Sequence, residues 1–224
     1  MENLKTIKKY NLFKNLDDKD ILAMLRCFNA RISTYKKNKN VISSGDKISF
    51  LYIVLVGAVR ETLVDSKGDI TTYIDYKEGD IIGLGYAANA YKTFYSDMTA
   101  LDDTTILLVD SHRFLNPCQN FCPRHTRVIN NAFSSLAKQN IKLINRIKEL
   151  TMGSTKEKVM CYLYNMRATV KSSKFDIPYN RQELANYLGV ERTALSKELS
   201  ELQQEGIIKF QKNHFEILKT ELKK

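Results

Sequence analysis

The sequence predicts an α+β protein in three parts: a β-rich barrel or sandwich, one long helix, and a C-terminal winged helix-turn-helix. Three observations lead there. Between residues 31 and 112, short β-rich runs alternate with glycines at 45, 57, 68, 79, 83 and 85, without the strand–helix alternation of a parallel sheet. From Ile129 to Leu150, key positions repeat at intervals of 4 and 3 residues. From Asn180, two short helical patterns flank Gly189 and run into a small hairpin.

Taken in order, residues 1–30 read as helical. Asp17 can cap the run DKDILAMLRCF, whose Ile21, Leu22, Leu25 and Phe28 share a face. The β-rich runs follow: NVISSGDK, then FLYIVLVGAVRETLVDSKGDITTYIDYKEGDIIGLG, then ALDDTTILLVD, with SKGD as a hairpin turn. The long helix carries a heptad seam of Ile129, Phe133, Leu136, Asn140, Leu143, Ile147 and Leu150. Phe133, Asn140 and Ile147 occupy its a positions, and one polar Asn there fixes the register of a two-stranded pairing. The strict repeat predicts a homodimer helix in preference to a helix packed only on its own domain.

The next boundary is TMGSTKE. Gly153 breaks the helix, and Ser154 with Glu157 forms a capping box for a helix over about 155–169. The predicted domains are therefore 1–123, 124–152 and 153–224. In NRQELANYLGVERTALSKELSELQQEG, Asn180 and Glu183 form a second capping box, and Leu184, Ala185 and Leu188 form a buried face. Gly189 permits the tight turn, Leu195, Leu199 and Leu202 point inward, and Gly206 closes the second helix. Arg192, Thr193, Ser196 and Lys197 are left outside, near the N-terminus of a helix that would enter the major groove. Arg181, Gln182 and the wing residue Lys209 are placed for phosphate contacts. The alternative is a structural αα-hairpin that binds protein.

Charge supports double-stranded DNA as the partner. The net charge is +10, with 16 basic and 15 acidic residues in 1–123, 6 and 1 in 124–150, and 13 and 9 in 151–224. No apolar run approaches 18 residues, and MENLKTIKKYNLF carries no signal-peptide core, so no membrane partner and a cytoplasmic location are expected. Four cysteines are too few for a disulfide framework. No nucleophile elbow or P-loop is present, and an enzyme is not expected.

These residues resemble the CRP/FNR family of transcription regulators across essentially the whole chain. SGDKISFLYIVLVGAVRE and KEGDIIGLG resemble its cyclic-nucleotide-binding-like β-roll, the heptad helix its dimerisation helix, and NRQELANYLGVERTALSKEL its recognition motif. The resemblance implies that Arg192, Thr193 and Lys197 read bases, and that Asn180, Arg181 and Gln182 touch phosphates. It also implies a homodimer on a palindromic operator, and RNA polymerase as a further partner if the protein activates. Thr193 departs from the Glu that many members carry, so cytosine N4 loses an acceptor.

The resemblance places the effector pocket at Gly83, Leu84, Gly85, Phe94 and Tyr95. Cyclic AMP binders hold the ribose with a Glu where this chain has Leu84, and the phosphate with an Arg–Ser pair where it has Phe94 and Tyr95. Cyclic AMP is therefore not expected to bind. The iron–sulfur site of FNR needs a cysteine cluster near the N-terminus, and only Cys27 lies there. In PCQNFCPRH, Cys118, Cys122 and His125 stand at helical spacings, although Pro117 and Pro123 argue against one continuous helix. The set suits thiol redox chemistry, a metal, or haem, with oxidants or nitric oxide as signals. It equally suits two small apolar cysteines at a domain junction beside a surface histidine. A haem- or metal-dependent redox protein, or a ligand-binding module acting through protein contacts, are the rival readings.

Overall fold

The computed structural model describes residues 2–64, 66, 68, 70–88, 93–116 and 122–219. These divide into two compact units. One comprises 1–69 with 73–141, the other 70–72 with 142–224.

The first unit opens with helices α1 (Glu2–Lys8) and α2 (Asp18–Cys27), joined by a 3-10 turn at Asn11–Phe13. Asp17 caps α2 as the sequence predicts, its carboxylate accepting from the Asp20 amide at 2.7 Å. The buried face of α2 differs from the predicted one. Ile21, Met24 and Phe28 are buried and Leu25 is partly so, whereas Leu22 is 44% exposed. The strands are β1 (Arg31–Tyr35), β2 (Asn40–Ile42), β3 (Phe50–Val56), β4 (Ala58–Val64), β5 (Ile70–Lys77) and β6 (Ile81–Ile82). After helix α3 (Leu84–Ala88) come β7 (Asp97–Ala100), β8 (Thr104–Asp110) and helix α4 (Ser111–Leu115). The expected SKGD turn lies partly outside the described residues.

Two four-stranded sheets result, ordered β1-β8-β3-β6 and β2-β7-β4-β5, with antiparallel pairing throughout the described ladders. Strand alternation sorts the side chains. Val54, Val59, Tyr76, Ile82, Met98 and Ile106 meet between the sheets with Ile42 and Phe94. Leu51, Ile53, Leu55, Leu107 and Val109 point the other way, to a second core with Ile21, Phe28 and Phe114. Gly57 joins β3 to β4 at φ +84°, and a Cβ there would stand 2.6 Å from Thr104 Oγ1.

Helix α5 (Pro123–Thr151) begins on a proline, whose missing amide costs nothing at a first helical position. The second unit continues with α6 (Thr155–Val170), β9 (Lys174–Asp176), α7 (Arg181–Leu188), α8 (Arg192–Gln204), β10 (Ile208–Gln211) and β11 (His214–Ile217). Both predicted capping boxes form, at Ser154 with Glu157 and at Asn180 with Glu183. Gly189 and Gly206 have φ of +60° and +65°, as the turn and the helix end require. Leu184, Ala185, Leu188, Leu195, Leu199 and Leu202 are all buried. The sequence reading misses β9, which adds a third strand beside β11.

Candidate functional site

The polar face of the second unit follows from this packing. Burial of Leu195, Leu199 and Leu202 turns Arg192, Thr193 and Lys197 out to solvent at the start of α8. Ser196 is half-buried, and its hydroxyl donates to the Arg192 carbonyl at 2.9 Å. Lys197 approaches Glu201 at 3.7 Å, a loose exposed pair that a phosphate or base can displace. Asn180 is committed to its capping box, and Gln182 Nε2 donates to Asn186 Oδ1 at 2.9 Å.

Arg181 stands with its guanidinium 5.0 Å from the centre of the Phe210 ring of β10. Burial, and then the neighbouring Arg192, lower its pKa below the ordinary arginine value. Two arginines from two helices thus converge at the leading edge of α8. Lys209 is not brought to them. Strand alternation sends it to the opposite face of β10 from Phe210, in register with Glu216.

The end of α5 is fastened to the helix-turn-helix by residues that the heptad reading passes over. Arg146 and Glu149 are 6% and 4% exposed. The Arg146 guanidinium lies 3.7 Å from the Tyr187 ring centre and donates to the Tyr187 carbonyl. Glu149 lies 3.6 Å from Arg146 and accepts from Asn165 Nδ2 at 2.7 Å and from the Tyr187 hydroxyl at 3.1 Å. Tyr187 is in the last turn of α7, just before the Gly189 turn.

Along α5 the seam keeps its seven-residue repeat but shifts one column. Phe133 and Ile147 are 71% and 60% exposed, and Asn140 is exposed between them. Ile129 and Leu136 instead lean on the core of the first unit, and Leu150 is half-buried. The outward stripe is Phe133, Ala137, Asn140, Ile144 and Ile147, flanked by Ile141 and Leu143.

Of the expected effector-pocket residues, the structure brings Gly83 to Phe94 but sets Leu84 in a different core cluster. Leu84 is buried against the helices outside the roll, whereas Phe94 is 1% exposed between the sheets. Gly83 has φ +89°, and a Cβ on it would meet the Phe94 ring at 3.3 Å. Gly85 is exposed within α3, and Tyr95 is 54% exposed. Glu61, Tyr76, Tyr86 and Ser96, which the sequence reading does not single out, meet inside the roll instead.

Of the cysteine–histidine set, Cys118 lies outside the described residues. His125 is not on the surface. It is 1% exposed, with Nε2 at 2.7 Å from the Phe114 carbonyl and its ring edge-on to Phe28. Nε2 therefore carries the proton and donates. Cys122 is half-buried against the same core. Among the described residues, no group of three His, Cys, Asp or Glu is placed to hold a metal ion. No helix among them is long and apolar enough to cross a membrane.

A β-roll followed by a long helix and a winged helix-turn-helix is the domain order of a DNA-binding transcription regulator. The model of the cyclic nucleotide-binding domain matches residues 32–121, and that of the Crp-like helix-turn-helix domain matches residues 157–222. The chain belongs to the CRP/FNR family of transcription regulators, which are not enzymes. It is 19% identical over 187 residues to the regulatory protein HlyX of Actinobacillus pleuropneumoniae, covering 81% of this chain and 75% of that one. It is 24% identical over 189 residues to the transcriptional activator FnrL of Cereibacter sphaeroides, covering 78% and 71%. Its fold is similar to that of the c-di-GMP responsive global regulator CLP of Xanthomonas campestris, with TM-score 0.74, 16% identity, and 91% and 100% of the two chains covered. For FixK2 of Bradyrhizobium japonicum the TM-score is 0.65 at 20% identity, with 84% and 92% covered.

Proposed function

We propose that the protein works as a homodimer that binds a palindromic DNA operator, and that its β-roll tunes this binding through an effector other than cAMP. The observation that carries the reading is the stripe of exposed large apolar residues on α5: Phe133, Ile141, Ile144 and Ile147 are each more than half exposed. Such a stripe, with one asparagine in its register, suits a second copy of the same helix. Two copies would set two α8 helices on half-sites one helical turn apart. Arg192 and Lys197 are assigned to guanine, Thr193 to a base edge without acidic readout, and Arg181 to phosphate.

The effector acts by favouring the DNA-competent population, not by chemistry. Leu84, Phe94 and Tyr95 supply neither the ribose acceptor nor the phosphate cation that cAMP needs. Haem ligation by His125 is disfavoured, because the ring is enclosed in the core, edge-on to Phe28. An RNA polymerase contact is assigned only if the protein activates. The test pairs sedimentation with fluorescence anisotropy on a two-fold symmetric duplex. A dimer whose affinity falls when either half-site is scrambled supports the reading, and a monomer indifferent to symmetry refutes it.

A further inference from the structure

Within the roll, the placement of charge is the reverse of what a phosphate ligand requires. Glu61 of β4 points between the sheets and is 6% exposed. Its carboxylate accepts from the Tyr76 hydroxyl at 2.7 Å, from the Tyr86 hydroxyl at 3.4 Å, and from the Ser96 hydroxyl. Among the described residues, no lysine, arginine or histidine forms an ion pair with it. Arg60, its neighbour in sequence, leaves by the other face of the strand, where Asp75 holds it through two hydrogen bonds of 2.8 and 3.0 Å. Burial and the Glu61 charge raise the Tyr76 pKa well above the ordinary value, so that hydroxyl stays a donor.

Aromatic rings gather around Tyr86, one of the donors to this carboxylate. Phe94 lies 5.1 Å from Tyr86 and 6.3 Å from Tyr52 between ring centres, and Tyr95 lies 6.2 Å from Tyr86. Buried carboxylates are held by cations or by several donors, and aromatic faces attract cations when water is excluded. An anionic ligand would be set against the Glu61 carboxylate, whereas a cation would add to its partners.

We propose that the roll takes a small organic cation, an ammonium or amidinium on an apolar body, whose N–H groups bond Glu61 and whose charge rests on the surrounding rings. This rests on the reading of the roll as the effector domain. The ligand displaces the Tyr86 hydroxyl, the longest of the three bonds, from a half-exposed residue beside exposed Tyr95.

Calorimetric titration of the full chain with phenethylammonium, benzamidinium and agmatine, against phenylpropionate, benzoate and cAMP, tests the proposal. At least one cation should bind, Glu61→Gln should weaken it about tenfold or more, and the anions should not bind. Tyr86→Phe, which keeps the ring and removes a competing donor, should bind the same cation as well or better. This variant keeps the test open if Glu61→Gln fails to fold. Preference for an anion, cation binding indifferent to Glu61→Gln, cation binding lost in Tyr86→Phe, or no binding of any of the three cations at millimolar concentration overturns it. Operator affinity measured on the same samples separates the two readings: DNA binding that persists while the cations fail removes only the ligand class.

Discussion

The exposed stripe on α5 allows dimerisation to be separated from folding. Ile144 and Ile147 are 56% and 60% exposed in the single chain, so their removal takes little from the protomer's own core. Full burial of an isoleucine is worth about 1.5–3 kcal/mol, and the part still available here amounts to about 1 kcal/mol per side chain beyond an alanine. In a two-fold dimer the double change Ile144→Ala/Ile147→Ala removes four such side chains, about 4 kcal/mol in all. That is roughly a thousandfold in the dissociation constant. Alanine is also the better helix former, so the protomer should lose no more than about 0.5 kcal/mol. Sedimentation velocity over a concentration series, with chemical denaturation at the dilute end, reads both quantities. A variant that stays dimeric at the wild-type concentration, or one that unfolds as a monomer well before the wild type, would refute the assignment of this stripe.

Four further outcomes are expected. Arg192→Ala should cost about 1–3 kcal/mol of operator affinity and relax specificity at one base pair, read by anisotropy on substituted duplexes. Arg181→Ala should weaken all duplexes alike and reduce the salt slope by about 1, read from the same titrations across salt concentration. Gly57→Ala should destabilise the first unit by about 1–3 kcal/mol, since φ is +84° and Thr104 Oγ1 lies 2.6 Å from the added carbon; an unchanged denaturation midpoint would contradict the strain. Because the folded-state pKa of Tyr76 is raised, its contribution is intact below the unfolded tyrosine value near 10 and is lost as pH climbs from there toward the folded value. Tyr76→Phe should therefore flatten the alkaline loss of stability measured by denaturant midpoints.

Local signals made the second unit legible. Each cap, turn glycine and inward leucine there depends on residues within one or two turns, so Asn180 with Glu183, Gly189, and the Leu195–Leu199–Leu202 stripe appear in the structure as read. The α5 seam was only partly legible. A heptad pattern does not say which adjacent column faces the protomer's own core, and Leu136 is taken there while Ala137 and Ile144 join the outward stripe. Arg60 and Glu61 were opaque for a related reason. Both are buried, because their partners Asp75, Tyr76 and Ser96 come from other strands or loops, which no local pattern around residues 60 and 61 reveals. Lys209 is exposed on the wing, but strand alternation sets it on the opposite face of β10 from the Phe210 that Arg181 covers, a placement that residue type alone does not give. The burial of His125 is not legible locally, because it depends on Phe28, nearly a hundred residues earlier.

The claim that two α8 helices read DNA as a symmetric pair is tested most directly by selecting bound sequences from a randomised duplex library with the full-length protein. The account predicts an inverted repeat with half-site centres one helical turn apart and a guanine in each half-site that Arg192→Ala no longer selects. Enrichment of an asymmetric single site, or none above background, would contradict it.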